Sequence, residues 1–399
     1  MISPAALHPQ VTSFSAAVTA VDDRHVVLAE SYFYPAGGGQ PADQGSIDDI
    51  PVVAVSTDEG AIVHELAAEP AFAVGDTIDA AVDTDFRRFT TRAHTASHVL
   101  YGAARRHCEE LGYAGFDISD ERVRIDLETP TTLDTDRLAE IAIAANSVVW
   151  DDRAVTWEQV PAAAAREDAS VAFNVKTEEG VFDADGPVRI VQIADWDAAA
   201  CGGTHVRSTA EIGPIMLRDV SNPGAGITRI EFSVGPPAIA QLGDGWATRR
   251  RLSRILDAPV DGLIDAAETL QTAHERSTAA NEELAIETAG LRLQLLPRSA
   301  TTGWVVGEIG GVPPAGVEAA LRADGTVDTA VIIPGEQHRL MVAAGPAYDA
   351  ALLIDRVTDA LGGGGGGSAD FAQAGGLPAE TTALIEAVEH AVAEGGGAV

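Results

Sequence analysis

Two short segments, HTASH (His94–His98) and CGGTH (Cys201–His205), each carry a pair of metal-capable side chains, and about a hundred residues separate them. Any fold that uses both must bring distant parts of the chain to one point. HTASH falls in a stretch of helical periodicity, which sets His94 and His98 one turn apart on the same face. Two imidazoles so placed can reach one ion at about 2.0–2.1 Å from each nitrogen. Such a pair alone fits a structural or surface role equally well. CGGTH adds a soft thiolate, Cys201, and a third imidazole, His205, while Gly202 and Gly203 permit a tight backbone bend. Two histidines with Cys201 and His205 suit one zinc ion per chain; Mg²⁺ or Ca²⁺ would want carboxylates. Four protein ligands describe a closed structural site, whereas hydrolytic zinc keeps a position for water or substrate. Both remain open at this point.

The chain has 399 residues, enough for two to four domains, and its 46% hydrophobic content is that of a globular protein. No apolar run approaches the roughly 18–20 residues of a bilayer crossing, and MISPAALHPQ has neither a basic n-region nor an apolar h-region, so a cytoplasmic protein is expected. Two cysteines, Cys108 and Cys201, give no disulfide framework. Asp and Glu number 60 against 26 Lys and Arg, a net charge of -34, and the acids are spread through every region. That distribution reads as adaptation of the whole surface to a saline cytoplasm, where the Debye length is about 3 Å near 1 M salt. A halophilic source is expected, and arginine clusters must be judged locally.

Residues 1–88 alternate apolar and polar positions between closely spaced turn signals, the pattern of a small β-barrel. Phe89 to about Leu111 is helical, and ERVRIDLE, VRIVQI and ITRIEFSV read as strands beside an Ala-rich helix, LDTDRLAEIAIAANSVVW. This central α+β region, residues 89–238, ends near Pro236 and Pro237. Residues 239–297 form a helical connector in which Leu263, Leu270, Leu284 and Leu291 share a heptad register. A coiled-coil hairpin, a homodimer stalk and a plain surface helix all fit it. Residues 298–399 alternate strand-like and helix-like runs, a small α/β domain that contains LGGGGGGSADFAQAGG. The expected fold class is α+β throughout.

HTASH with CGGTH, preceded by SYFYPAGGGQPADQG and DTDFRRFTTR, resembles the editing domain of alanyl-tRNA synthetase and its freestanding relatives, the alanyl-tRNA editing proteins. The resemblance covers nearly the whole chain and identifies the tail as similar to a DHH-associated RNA-binding domain. It implies a hydrolase that deacylates tRNA(Ala) mischarged with serine or glycine, with zinc held by His94, His98, Cys201 and His205. It further implies that Ser97 contacts substrate or an ordered water, that Gln40 contacts substrate or the terminal adenosine, and that Cys201 belongs to the reacting centre. Gly37, Gly38 and Gly39 would form the barrel loop facing the pocket; Gly202, Gly203 and Thr204 would line it. The family's Gln and Gly-Ser pair ahead of an RFDF-like strand are missing from GYAGFDISDERVRIDL, although Arg124 and Asp126 fit the strand.

Backbone N–H groups in the CGGTH bend could serve an oxyanion, and no GxSxG elbow is present for serine-hydrolase chemistry. For RNA phosphate, Arg87, Arg88 and Arg92 precede the zinc pair, Arg105 and Arg106 follow it, and Arg249–Arg251 with Arg254 open the connector. Gly365, Gly366 and Gly367 would allow close approach of an RNA backbone. A complete synthetase is not expected, since editing and tail modules occupy the length, and a DHH phosphoesterase lacks its ligand set. The remaining alternative is a non-catalytic tRNA-binding protein whose zinc is structural.

Overall fold

A computed structural model of the chain describes residues 2–119, 122–130, 132–167, 171–172, 187–224, 226–323, 328–378 and 380–394. The chain divides into two compact units, Met1–Arg251 and Leu252–Val399.

After a short helix α1 (Pro4–Leu7), the first unit opens with a closed barrel of six strands, as the alternation predicts. They are β1 (Ser13–Asp22), β2 (His25–Leu28), β3 (Gly45–Ile47), β4 (Ile50–Asp58), β5 (Ala61–Leu66) and β6 (Thr77–Val82), in the order β1-β2-β5-β4-β3-β6. Closure runs through β1 and β6, with Ser13 opposite Ala81. Strand β6, TIDAAV, alternates exposed and buried at every position, so Ile78, Ala80 and Val82 fill the interior with Val18, Val26, Ile47, Phe33 and Leu66.

Helix α2 (Thr84–His107) leaves the barrel directly. Asp83 caps it by accepting from the amides of Asp85 and Phe86, and Arg105 and Arg106 sit in its last turn, where cations favour the C-terminal dipole. Ala93, Ala96, Val99, Leu100, Ala103 and Ala104 form its buried face. That face packs on an antiparallel sheet of β7 (Gly112–Ile118), β8 (Val123–Glu128) and two later strands, β13 (Ile215–Gly224) and β14 (Ile227–Val234), in the order β13-β14-β8-β7. Helix α3 (Thr135–Trp150) adds Ile141, Ala145 and Val148 to the same core.

A second sheet has the order β10-β12-β11-β9 and comprises β9 (Val155–Pro161), β10 (Val171–Ala172), β11 (Pro187–Ile193) and β12 (Asp197–Ala200), with α4 (Ala162–Glu167) between β9 and β10. Strand β12 runs straight into CGGTH, so this sheet delivers the second half of the metal constellation.

Arg87 corrects an expectation. It is 1% exposed, and its guanidinium is ion-paired with Asp43 and donates to the carbonyls of Pro9 at 3.0 Å and Tyr32 at 2.6 Å. Phosphate has no access to it: this arginine bolts α2 to the barrel, while its neighbour Arg88 faces solvent.

Pro236 and Pro237 start a helix, α5 (Pro236–Ile255), because proline is tolerated where the first-turn N–H groups lack partners. In the second unit, α6 (Leu263–Leu295) packs through Ala285, Ala289 and Leu293 against Val317 and Leu321 of α7 (Pro314–Ala323). The heptad leucines Leu270, Leu284 and Leu291 stay exposed. Strands β15 (Val305–Glu308), β16 (Thr329–Ile333), β17 (His338–Ala343), β18 (Gly364–Gly367) and β19 (Phe371–Leu377) make a five-stranded sheet of order β15-β16-β17-β19-β18, with α8 (Ala350–Leu361) and α9 (Thr381–Ala393). The glycine tract is therefore an exposed edge strand, not a loop. A Cβ on Gly365 would lie 2.2 Å from the Gln373 carbonyl oxygen, so only glycine fits there.

Candidate metal centre

His94 and His98 project from α2, and Cys201 and His205 from the bend after β12. Their four ligand atoms all lie within 4.8 Å of one another. Cys201 Sγ is 3.2 Å from Nε2 of His94 and 3.2 Å from Nε2 of His205. An N–S edge of about 3.5 Å is what a tetrahedron built from Zn–S of about 2.3 Å and Zn–N of about 2.0–2.1 Å requires. The two segments named from sequence do converge, and their donor set fits zinc.

Each imidazole has its outer nitrogen fixed. His94 Nδ1 lies 2.8 Å from Oε1 of Gln40, which also accepts from the amide of Thr204 at 3.0 Å. An atom that accepts a backbone N–H is the amide oxygen, so His94 carries its proton on Nδ1. His98 Nδ1 lies 3.1 Å from Oδ2 of Asp197, a carboxylate with 1% side-chain exposure. The Thr95 hydroxyl donates to the Thr91 carbonyl at 3.1 Å, accepts from the Val206 amide at 3.1 Å, and lies 3.1 Å from Nδ1 of His205. Its one proton being used, it can only accept from His205. All three Nε2 atoms therefore face the common point beside Cys201, the arrangement by which outer partners orient ligating histidines.

Electrostatics agree with a thiolate. Burial pushes the Cys201 thiol up, but the neighbouring His94 and His205 reverse this and hold it well below the ordinary thiol range. Burial works against protonation of His98, yet Asp197 and Cys201 raise it to about 10. At His205 burial prevails and keeps the ring neutral.

The other expected residues divide. Gln40 is 2% exposed, and its Nε2 donates to Oγ1 of Thr204 at 3.0 Å, so it lies behind His94 with its amide engaged. Ser97 donates to the carbonyl of His94 at 2.7 Å and is buried within the helix. Gly37 to Gln40 form a tight turn closed in both directions between Gly37 and Gln40, with Gly38 and Gly39 at positive φ. The Gly39 carbonyl accepts from the Ile118 amide at 3.0 Å, which ties this barrel loop to β7. Thr204 is wholly buried, Gly203 is buried against His94, and Gly202 is exposed. Arg106 is spent on the carbonyls of Gly102 and Trp196 and stacks 3.7 Å from the Trp196 ring. Asp197, Thr95 and Arg189 were not foreseen. Thr95 stood inside the quoted motif, and Asp197 lies four residues before Cys201; nothing in the local sequence marks Arg189.

Residues 188–231 match the family described as threonyl and alanyl tRNA synthetase second additional domain, and residues 5–86 match tRNA synthetases class II (A). An alanine-tRNA ligase from Thermococcus kodakarensis is 31% identical over 376 residues, covering 92% of this chain and 40% of that one. Those from Pyrococcus abyssi and Parasynechococcus marenigrum are 29% and 31% identical, covering 96% and 90% of this chain. The chain spans about two-fifths of the length of these relatives. It is homologous to alanine-tRNA ligases over nearly its whole length.

Proposed function

We propose that the chain is a trans-editing deacylase that releases serine or glycine from mischarged tRNA(Ala) at a zinc centre formed by His94, His98, Cys201 and His205. The observation that carries this reading is the convergence of three imidazoles, each with its Nδ1 partnered, and one cysteine sulfur in a chain homologous to alanine-tRNA ligases. When bound, zinc supplies Lewis acidity toward a carbonyl or water. The chain's own residues do the rest. Gln40, Asp197 and Thr95 fix the imidazole tautomers; His94 and His205 are buried, while His98 and Cys201 are half-buried on the side open to solvent.

Arg88 and Arg92 on α2 are the proposed phosphate contacts near the centre, and the glycine edge strand with Gly365, Gly366 and Gly367 is the proposed RNA contact of the second unit. The exposed heptad face of α6 supports homodimerisation, and the acidic surface supports a saline cytoplasm. No helix among the described residues is long and apolar enough to cross a membrane.

One observation favours a second reading. Four protein donors within reach of one ion would leave no open position on it, as in structural zinc sites, which fits a non-catalytic tRNA-binding protein. Deacylation of Ser-, Gly- and Ala-tRNA(Ala) in high salt separates the two. Wild type should release serine or glycine faster than buffer and faster than alanine, and Cys201→Ala should not. Tight tRNA binding with no release by wild type would leave only the second reading.

A further inference from the structure

One buried side chain draws two carbonyls of the CGGTH bend to the same side. Nη1 of Arg189, on β11, donates to the carbonyl oxygens of Cys201 at 3.0 Å and Gly203 at 2.8 Å, and Nη2 donates to that of Ala6 at 2.9 Å. Arg189 is 2% exposed, with its guanidinium 4.8 Å from the centroid of the Trp157 ring. Its hydrogen-bond acceptors among the described residues are all backbone carbonyls.

A trans peptide holds C=O and N–H antiparallel, and no peptide bond here is cis. Pinning the Cys201 and Gly203 carbonyls therefore turns the next two amides, those of Gly202 and Thr204, away from Arg189. Thr204 shows which side that is: its N–H meets Oε1 of Gln40, the atom that orients His94. The Gly202 amide lies one residue from the candidate ligand Cys201 on an exposed residue, where an added Cβ would meet nothing within 4 Å. Among the described residues it donates to no backbone or side-chain acceptor.

We infer that the Gly202 N–H is the oxyanion donor of ester hydrolysis at this centre, and that Arg189 is the positioning residue that aims it. The inference rests on the deacylase reading. In the reaction the water oxygen bonds to the ester carbonyl carbon, and the carbonyl π pair moves onto oxygen. That pair then re-forms the double bond and breaks the bond to the ribose oxygen. One water proton ends on the ribose hydroxyl and the other on the carboxyl group, from which it ionises. A fixed amide beside the charging oxygen gains strength in the transition state and costs no reorganisation.

Glycine at 202 gives a clean pair of variants. Gly202→Ala keeps the N–H, and its Cβ meets nothing within 4 Å; Gly202→Pro removes the N–H. For seryl-tRNA(Ala), kcat of zinc-loaded Gly202→Pro should lie about 10²–10³-fold below that of zinc-loaded Gly202→Ala, the cost of one lost oxyanion donor, with KM little changed. Arg189→Gln should lower kcat in the same direction, and Arg189→Lys should recover part of it. Independently of turnover, the Gly202 amide resonance should move downfield when wild type binds a phosphonate analogue of the seryl ester, and should not move in Arg189→Gln. If Gly202→Pro fails to fold or loses zinc, the Arg189 variants and the resonance decide. Full kcat in zinc-loaded Gly202→Pro, or a Gly202 resonance indifferent to the phosphonate, overturns the inference alone. A wild type that releases no amino acid from any ester overturns the deacylase reading instead.

Discussion

Gln40, at the tip of a barrel turn, places its amide oxygen 2.8 Å from Nδ1 of His94, a ligand carried by a separate helix. The barrel thus holds an imidazole of the metal centre in its working tautomer. Gln40→Met keeps volume but removes the acceptor, and it also strands the Thr204 amide. Zinc affinity is expected to drop about 10–100-fold, the usual loss when an outer partner of a ligating histidine is removed. Competition against a chromophoric chelator measures this, and an unchanged affinity would make Gln40 dispensable to the site.

Gly203 has no room for a side chain. A Cβ there would stand 2.1 Å from Cε1 of His94 and 2.9 Å from Oε1 of Gln40. Gly203→Ala must displace that ring, and the purified variant is expected to carry far less than one zinc per chain. Gly202→Ala, which meets nothing, should retain full occupancy. Equal metal content in both variants would contradict the packing argument.

Arg87 and Asp43 form a buried ion pair, with side-chain exposures of 2% and 0%. Removing the cation leaves a carboxylate stranded in the interior, so Arg87→Met should cost about 3–5 kcal/mol of unfolding free energy. Denaturant titration of the folded protein in high salt reads it. Arg88→Met, at the solvent-facing neighbour, should move stability by less than about 0.5 kcal/mol.

His64 gives the barrel a pH dependence. It is fully buried, 2.7 Å from the Ser31 hydroxyl through Nε2 and 3.0 Å from the Val26 carbonyl through Nδ1. Burial lowers its pKa below the ordinary 6.5, and the bond to Val26 only partly opposes this. The folded state thus holds the neutral ring while the unfolded state takes up a proton below 6.5. Stability is unaffected by this group above that value and falls as pH drops through it. Thermal melts from pH 8 to pH 5 should show the decline, reduced in His64→Gln; equal slopes would assign the acid sensitivity elsewhere.

The ligand set, the barrel strands, helix α2 and the strands ERVRIDLE, VRIVQI and ITRIEFSV were legible because each rests on local chemistry: donor type, turn residues and the periodicity of apolar positions. Roles that depend on a partner far along the chain were not legible. Arg87 and Arg88 are adjacent and identical in type, yet Asp43, 44 residues away, takes one into the interior and leaves the other in solvent. The heptad leucines of α6 form a regular pattern that the folded chain leaves exposed, because its packing uses Ala285, Ala289 and Leu293 instead.

By itself, the sequence determined which atoms can bind a metal and which segments must be helix or strand, since backbone propensity and side-chain donors belong to the residue and its near neighbours. The tertiary structure decided which nitrogen of each histidine carries the proton, which arginine is buried and which amide stays free. Those outcomes follow from hydrogen-bond partners that only the fold brings together, such as Asp43 with Arg87 from 44 residues apart, Gln40 with His94 from 54 and Thr95 with His205 from 110.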